Sequence, residues 1–132
     1  MSNPCYCVLL RKASRKISSL YDEALAPLGV NIAQFSLMRN IARMAPVSLT
    51  DLAVRLELDR STIGRNTKLL ERNGFVQTQK GKDQREAVLV LTDDGRRILE
   101  EGTPLWDKAQ AAIETRLGRD AVETLQGLLA AL

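Results

Sequence analysis

The sequence predicts a mainly α-helical domain with a small β-hairpin, and three observations support this fold class. Apolar residues recur at helical spacing over most of the 132 residues. Two short runs rich in β-forming residues flank one polar loop in the second half of the chain. The length suits a single domain with its own core, and a content of 45% hydrophobic and 27% charged residues is ordinary for a folded protein.

Two helices are predicted in the first third of the chain. The first runs from Cys7 to Leu25 with apolar residues every three or four positions, and Pro27 and Gly29 close it. Asn31 is placed to cap the second helix, which stops near Pro46 because the residue before a proline disfavours the helical conformation.

A pair of short helices is predicted next. Ser48 and Asp51 form a capping-box pattern, with Asp in place of Glu, that opens the first of them. Asp59 is placed to cap the second, which runs to about Asn73, and Gly74 supplies its left-handed stop.

A two-stranded hairpin is predicted to follow, with strands at Phe75–Thr78 and Ala87–Leu91. Helix, tight turn, helix and hairpin with a basic tip is the order of elements in a winged helix-turn-helix. Thr92 then caps a long helix through Leu117, in which Pro104 is expected to cause a bend or a break.

The last predicted helix, from Ala121 to Leu132, is too apolar to lie comfortably in water. The first helix also has a broad apolar stripe. Both are therefore expected to pack against a second copy of the chain, the alternative being that each packs onto its own monomer.

Positive charge is concentrated in the middle of the chain. Residues 60–85 contain seven Lys or Arg and two acids, which gives +5 within a chain whose net charge is +3. Residues 86–132 sum to −4. This distribution is typical of a protein that binds a polyanion, although a solvated basic face is the alternative.

The second short helix carries the residues expected to read DNA. Ile63, Thr67 and Leu70 are predicted to face inward. Long or polar side chains occupy other faces, at Arg60, Ser61, Thr62, Arg65, Asn66 and Lys68. Arg65 is placed to form two parallel hydrogen bonds with guanine, whereas Ser61 and Thr62 suit phosphates or bases. A plain solvated helix would mix Glu with Lys at four-residue spacing, but only Glu71 is present.

Other classes of function find little support in the sequence. There is no histidine, no Gly-rich phosphate loop and no pairing of a nucleophile with a base, so we expect no enzyme, no metal site and no cofactor. The apolar run after the N-terminus is too short for a signal peptide, and none approaches a membrane span, so a cytoplasmic protein is expected.

The sequence resembles the MarR family of bacterial winged-helix repressors over nearly its whole length. The segments that carry the resemblance are Leu49–Ala53, Leu58–Ile63, Leu70–Val76, Lys82–Arg85 and Val90–Gly95. Two positions depart from the family pattern. Gly64 stands where relatives often have Thr or Ser, and Thr67 stands where an aliphatic residue is usual.

The resemblance implies a single domain over residues 1–132, with a DNA-binding lobe at 30–95 and dimerisation helices at 5–26 and 96–132. It implies a homodimer that reads a pseudo-palindrome in double-stranded DNA. Asp83 is expected to orient Arg85 into the minor groove, with Lys82 beside it. A winged helix that binds protein instead of DNA remains the alternative function.

The resemblance also implies release from DNA by a small molecule or by cysteine oxidation. Candidate residues for a ligand pocket are Tyr6, Tyr21, Phe35, Met38 and Trp106, although a role in the core is the favoured interpretation for each of them taken singly. Cys5 and Cys7 lie at the start of a helix, where the positive end of the dipole favours a reactive thiolate. Redox sensing, metal binding with added ligands, and no role at all stay open for these two cysteines.

Overall fold

A computed structural model describes residues 3–83 and 85–132, which contain six α-helices and three β-strands. Their bounds are α1 Tyr6–Leu25, α2 Ile32–Met44, β1 Val47–Ser48, α3 Leu49–Leu56, α4 Arg60–Arg72, β2 Val76–Lys80, β3 Ala87–Leu91, α5 Asp93–Leu117 and α6 Arg119–Ala131. A 3₁₀ turn, Ala26–Leu28, follows α1. None of the helices in the described residues is both long enough and apolar enough to span a bilayer.

The predicted caps of α3 and α4 are confirmed. The Ser48 hydroxyl accepts a hydrogen bond of 3.1 Å from the backbone N–H of Asp51 at the start of α3. Asp59 does the same for Thr62 at the start of α4, over 2.7 Å. Gly74, at φ +80°, ends α4 in the left-handed region that glycine tolerates best. Local sequence therefore determines where these two helices begin and end.

The sheet has three antiparallel strands in the order β1-β3-β2, not the two strands that the sequence predicted. The β2–β3 hairpin is present, with Val76 opposite Leu91. Strand β1 pairs with the other edge of β3, with Val47 opposite Leu89. A two-residue strand has no alternating pattern to recognise, and its pairing partner lies about forty residues away, so the prediction missed it.

Helix α5 runs without interruption through Pro104, so the expected break is absent. A proline removes its own N–H from the helical ladder and crowds the carbonyl one turn earlier, but packing can hold the turns on either side. Ala109 and Ile113 are buried on the C-terminal side of Pro104, which favours continuation of the helix.

The chain divides into two compact units, residues 1–31 with 103–132 and residues 32–102. The second unit contains the helix-turn-helix and the sheet. Its core is formed by residues from α2, α3, α4 and all three strands, namely Leu37, Met38, Ile41, Val47, Leu52, Ala53, Ile63, Leu70, Val76, Leu89 and Leu91. The first unit buries Leu25, Ala109 and Ile113. The division falls within α5, whereas the predicted lobe ended at residue 95.

Candidate nucleic-acid interface

The buried face of α4 is the one that the sequence predicted. Ile63, Thr67 and Leu70 are all at most 2% exposed. Thr67, which departs from the family pattern, donates its hydroxyl hydrogen to the backbone carbonyl of Gly64 over 3.0 Å. The bond gives the buried Thr67 hydroxyl a partner, so threonine is compatible with the core at a position where an aliphatic residue is usual.

A line of exposed polar residues lies on the opposite side of α4. Ser61, Arg65, Lys68 and Arg72 are all exposed and follow one another at intervals of four, three and four residues. Such spacing places side chains on one face of a helix. These four residues are called the basic stripe below. Arg72 was not among the predicted contacts, although its spacing from Lys68 was visible in the sequence.

The remaining predicted contacts on α4 occupy other positions. Arg60 is exposed at the first residue of the helix, and Thr62 is partly buried. Asn66 is also partly buried and lines a groove of about 260 Å³ with Leu37, Leu58 and neighbouring residues. Asn66 therefore lies toward α2, away from the basic stripe.

The start of α4 is occupied by the carboxylate of Asp59. Its Oδ1 accepts hydrogen bonds of 2.7 Å from the Ser61 hydroxyl and from the Thr62 backbone N–H. These bonds, with smaller contributions from the Thr62 side chain and the charge of Arg65, lower the pKa of Asp59 to about 2. A carboxylate that is ionised at neutral pH thus lies at the end of the helix that is expected to meet DNA.

The wing is the loop between β2 and β3, and backbone hydrogen bonds fix its shape. Gly81 N–H donates to the Glu86 carbonyl over 2.8 Å, and Glu86 N–H donates to the Asp83 carbonyl over 2.9 Å. The Asp83 carboxylate accepts from the backbone N–H of Arg85 over 3.2 Å. Asp83 thus contacts Arg85 through the main chain, and both Lys82 and Arg85 are exposed. Gln84 lies outside the described residues.

One hydrogen bond joins α4 to the wing strand. The Thr78 hydroxyl on β2 donates to Glu71 Oε1 over 2.8 Å. Glu71 precedes the last residue of the basic stripe, and β2 leads directly into the wing. This contact adds a side-chain link between the two basic elements, which share one compact unit and one core.

The candidate pocket residues are divided between the two units. Phe35 and Met38 are fully buried in residues 32–102. In the other unit, the rings of Tyr21 and Trp106 stack with centroids 6.1 Å apart, whereas Tyr6 is 71% exposed.

The unit formed by residues 1–31 and 103–132 also contains a groove of about 330 Å³ that the sequence did not indicate. Its walls are mostly apolar with basic groups added, and they consist of Leu20, Glu23, Ala24, Leu105, Lys108, Ala109, Ala112, Ile113 and Arg116.

Cys5 and Cys7 are free and exposed at the start of α1. Residues two apart on a helix do not face each other, so a disulfide between them within one chain would require the first turn to unwind. Among the described residues, no three His, Cys, Asp or Glu side chains lie close enough together to hold a metal ion.

Helix-turn-helix, wing and basic stripe together define a winged helix-turn-helix protein. The family model for the MarR family matches residues 30–87. The chain is 30% identical over 92 residues to the uncharacterised HTH-type transcriptional regulator YwoH of Bacillus subtilis, with 70% of this chain and 67% of that protein covered. The chain belongs to the MarR family of transcriptional regulators.

Solved structures of MarR-family regulators resemble the whole chain. MosR of Mycobacterium tuberculosis, determined in complex with DNA, has 32% identity and a TM-score of 0.77, with 97% of this chain and 98% of that chain covered. A variant of MarR from Escherichia coli complexed with operator DNA has 28% identity and a TM-score of 0.82, with coverage of 93% and 89%.

Proposed function

We propose that this protein is a transcriptional repressor that binds double-stranded DNA as a homodimer on a pseudo-palindromic operator. The observation that carries the proposal is the basic stripe on α4, joined in one compact unit to a wing with exposed Lys82 and Arg85. A repressor acts where the DNA lies, so we place it in the bacterial cytoplasm.

The two basic elements suit two grooves of DNA. A helix fits the major groove, where an arginine reads guanine through two parallel hydrogen bonds, and Arg65 is the arginine of the stripe nearer the start of α4. A narrow hairpin tip suits the minor groove, whose negative potential attracts arginine. The Asp83 carboxylate accepts a hydrogen bond from the Arg85 backbone N–H, which restrains the main chain from which the Arg85 side chain extends.

Apolar side chains that are exposed in the single chain support the homodimer. They lie on the first turns of α1, on α6 and just after it, and include Tyr6, Val8, Leu9, Leu10, Leu125, Leu129 and Leu132. Contiguous exposed apolar surface is uncommon on soluble monomers and marks interaction sites. A two-fold pairing of these helices would bury them and would present two lobes to a two-fold operator.

Release from DNA by a small molecule or by oxidation of Cys5 and Cys7 is part of the proposal. A peroxide would oxidise one exposed thiolate to a sulfenic acid, its O–O bond being broken. Condensation with a second thiol, from the partner chain or a small thiol, would form the disulfide and release water. The groove beside Lys108 and Arg116 is a second candidate site for an inducer.

The proposal is tested by selecting genomic fragments with the purified protein, once reduced and once after mild peroxide treatment. Enrichment of a pseudo-palindrome by the reduced protein alone would support repression with thiol release. Enrichment by both forms would retain the DNA function and point to a small-molecule inducer. If neither form enriches a sequence at modest salt, the proposed function is wrong, and a protein partner becomes the better hypothesis.

Arg65→Ala and Arg85→Ala test the two groove contacts on the selected site. We expect each to weaken binding by about tenfold to a hundredfold, because a good arginine–base contact contributes roughly 1–3 kcal/mol. Binding is measured by fluorescence anisotropy across a salt series. Arg119→Ala, which removes an exposed arginine from the other unit, is the matched control and should leave affinity within about twofold. Equal losses in all three variants would contradict a localised interface.

A further inference from the structure

Asp59 is a negative charge in the segment that should meet a polyanion. It is fully exposed, it immediately precedes Arg60, and it lies two residues before Ser61 of the basic stripe. A carboxylate near phosphates is unfavourable for binding to any DNA, since like charges repel. A favourable contact between this carboxylate and a hydrogen-bond donor of the DNA would offset the repulsion.

The carboxylate is held in a fixed orientation. Oδ1 accepts from the Thr62 N–H and from the Ser61 hydroxyl, each over 2.7 Å. An ionised carboxylate has roughly four acceptor positions, so at least one stays open to the surroundings. Asp59 presents a preorganised acceptor at the first turn of α4.

An ionised carboxylate accepts hydrogen bonds but cannot donate them, which limits the base edges that Asp59 can contact. In the major groove only cytosine N4 and adenine N6 offer a hydrogen-bond donor, whereas guanine and thymine present oxygen acceptors to the same region. Phosphate oxygens are also acceptors and carry charge. A carboxylate at this place would be favourable opposite an exocyclic amino group and unfavourable elsewhere.

We propose that Asp59 is a specificity-determining residue of the DNA interface, which selects the exocyclic amino group of cytosine or adenine and weakens binding to all other DNA. This inference rests on the proposed function. It assigns Asp59 a role beyond that of a helix cap, and it makes part of the operator sequence predictable from one side chain.

Asp59→Asn separates the two roles. Asparagine is about as good an N-cap as aspartate, so α4 should keep its start. The amide oxygen can replace Oδ1, and the amide NH₂ then presents a donor where the carboxylate presented an acceptor. We expect a cytosine selected at one position of each half-site to be replaced by a base that presents a major-groove acceptor, namely guanine, thymine or adenine through its N7. An adenine selected there should give way at least in part to guanine, which presents two acceptors and no neighbouring amino group.

Affinity should change in two directions as well. Removal of the charge should strengthen binding to random DNA by several-fold, and the ratio of specific to random affinity on the original site should fall by about tenfold. Asp94→Asn is the matched control, because it removes an exposed carboxylate from the same unit without touching α4. It should leave the selected sequence unchanged.

The outcomes are distinguishable when wild type, Asp59→Asn and Asp94→Asn are selected in parallel from one random library. If the wild type enriches no sequence, the proposed function fails. If the wild type enriches a site and Asp59→Asn enriches the same site with the same affinity ratio, Asp59 is only a cap and the inference is overturned. A similar change in both variants would also overturn it, because the effect would then be one of net charge.

Discussion

Gly64 is the residue of α4 with the weakest intrinsic preference for a helix. Apart from its chain neighbours and the adjacent backbone of α4, no atom of the described residues lies within 4 Å of the position that a Cβ would take. Gly64→Ala should therefore raise the free energy of unfolding by about 1 kcal/mol, since alanine loses less conformational freedom on folding. Urea denaturation measures the change.

Gly95→Ala provides the opposite case. A Cβ at Gly95 would lie 2.1 Å from the Phe75 carbonyl oxygen, so backbone must move and stability should fall. If Gly64→Ala were destabilising as well, the space around Gly64 would not be free in the folded protein and the prediction would be wrong.

Some contacts of single residues could be predicted from the local sequence, and others could not. Asp59 and Ser48 could be identified as caps from the sequence, because a cap depends on neighbours within four positions. The contact of Asp83 with the backbone N–H of Arg85 was expected as a pairing of side chains. Sequence spacing indicated that the two residues interact, but only the turn geometry showed which atoms do so.

At the scale of elements, the hydrogen bond between Thr78 and Glu71 holds the wing strand against α4. Thr78→Val keeps the β-branched shape but removes the hydroxyl, so stability should fall by about 0.5–1 kcal/mol. Operator affinity should fall more than this loss explains, because the wing would no longer be fixed relative to the basic stripe. Urea denaturation and anisotropy measure the two effects.

Thr78→Ser is the control for this contact, since it retains the donor with a smaller side chain. It should keep most of the operator affinity. A result in which both variants bind the operator like the wild type would show that the wing is positioned by the β2–β3 pairing alone.

The elements themselves were largely predictable, and the exceptions have physical reasons. Helices α3 and α4 have caps, apolar periodicity and stop residues within their own segments. Strand β1 has none of these, because it exists only through pairing with β3. Helix α5 continues through Pro104, where local preference predicted a bend or a break, so the break is absent; burial of Ala109 and Ile113 supports the turns beyond.

At the scale of the whole molecule, the exposed apolar residues of α6 should hold two chains together. Replacement of Leu125 and Leu129 by Glu places two charges on one face, since the residues are four apart. We expect the dissociation constant of the dimer to rise at least about a hundredfold, because burial of two leucines contributes roughly 3 kcal/mol or more. Analytical ultracentrifugation measures the mass.

Val54→Glu with Leu58→Glu is the matched control. Leu129 and Val54 are comparably exposed, at 83% and 73%, but Val54 and Leu58 belong to the other compact unit. The control should stay dimeric. If the α6 variant also stays dimeric and keeps its operator affinity, these leucines do not form the dimer interface.

The sequence by itself determined the helices with local caps, the basic middle of the chain, the inward face of α4 and the resemblance to the MarR family. These features depend on residues close together in the chain, so pattern and spacing are sufficient. The tertiary structure decided the third strand, the course of α5, the bond between Thr78 and Glu71, and the fixed carboxylate of Asp59. The strand and the Thr78–Glu71 bond depend on partners in other elements. Asp59 required atomic positions, because the sequence names the cap without showing which oxygen stays open.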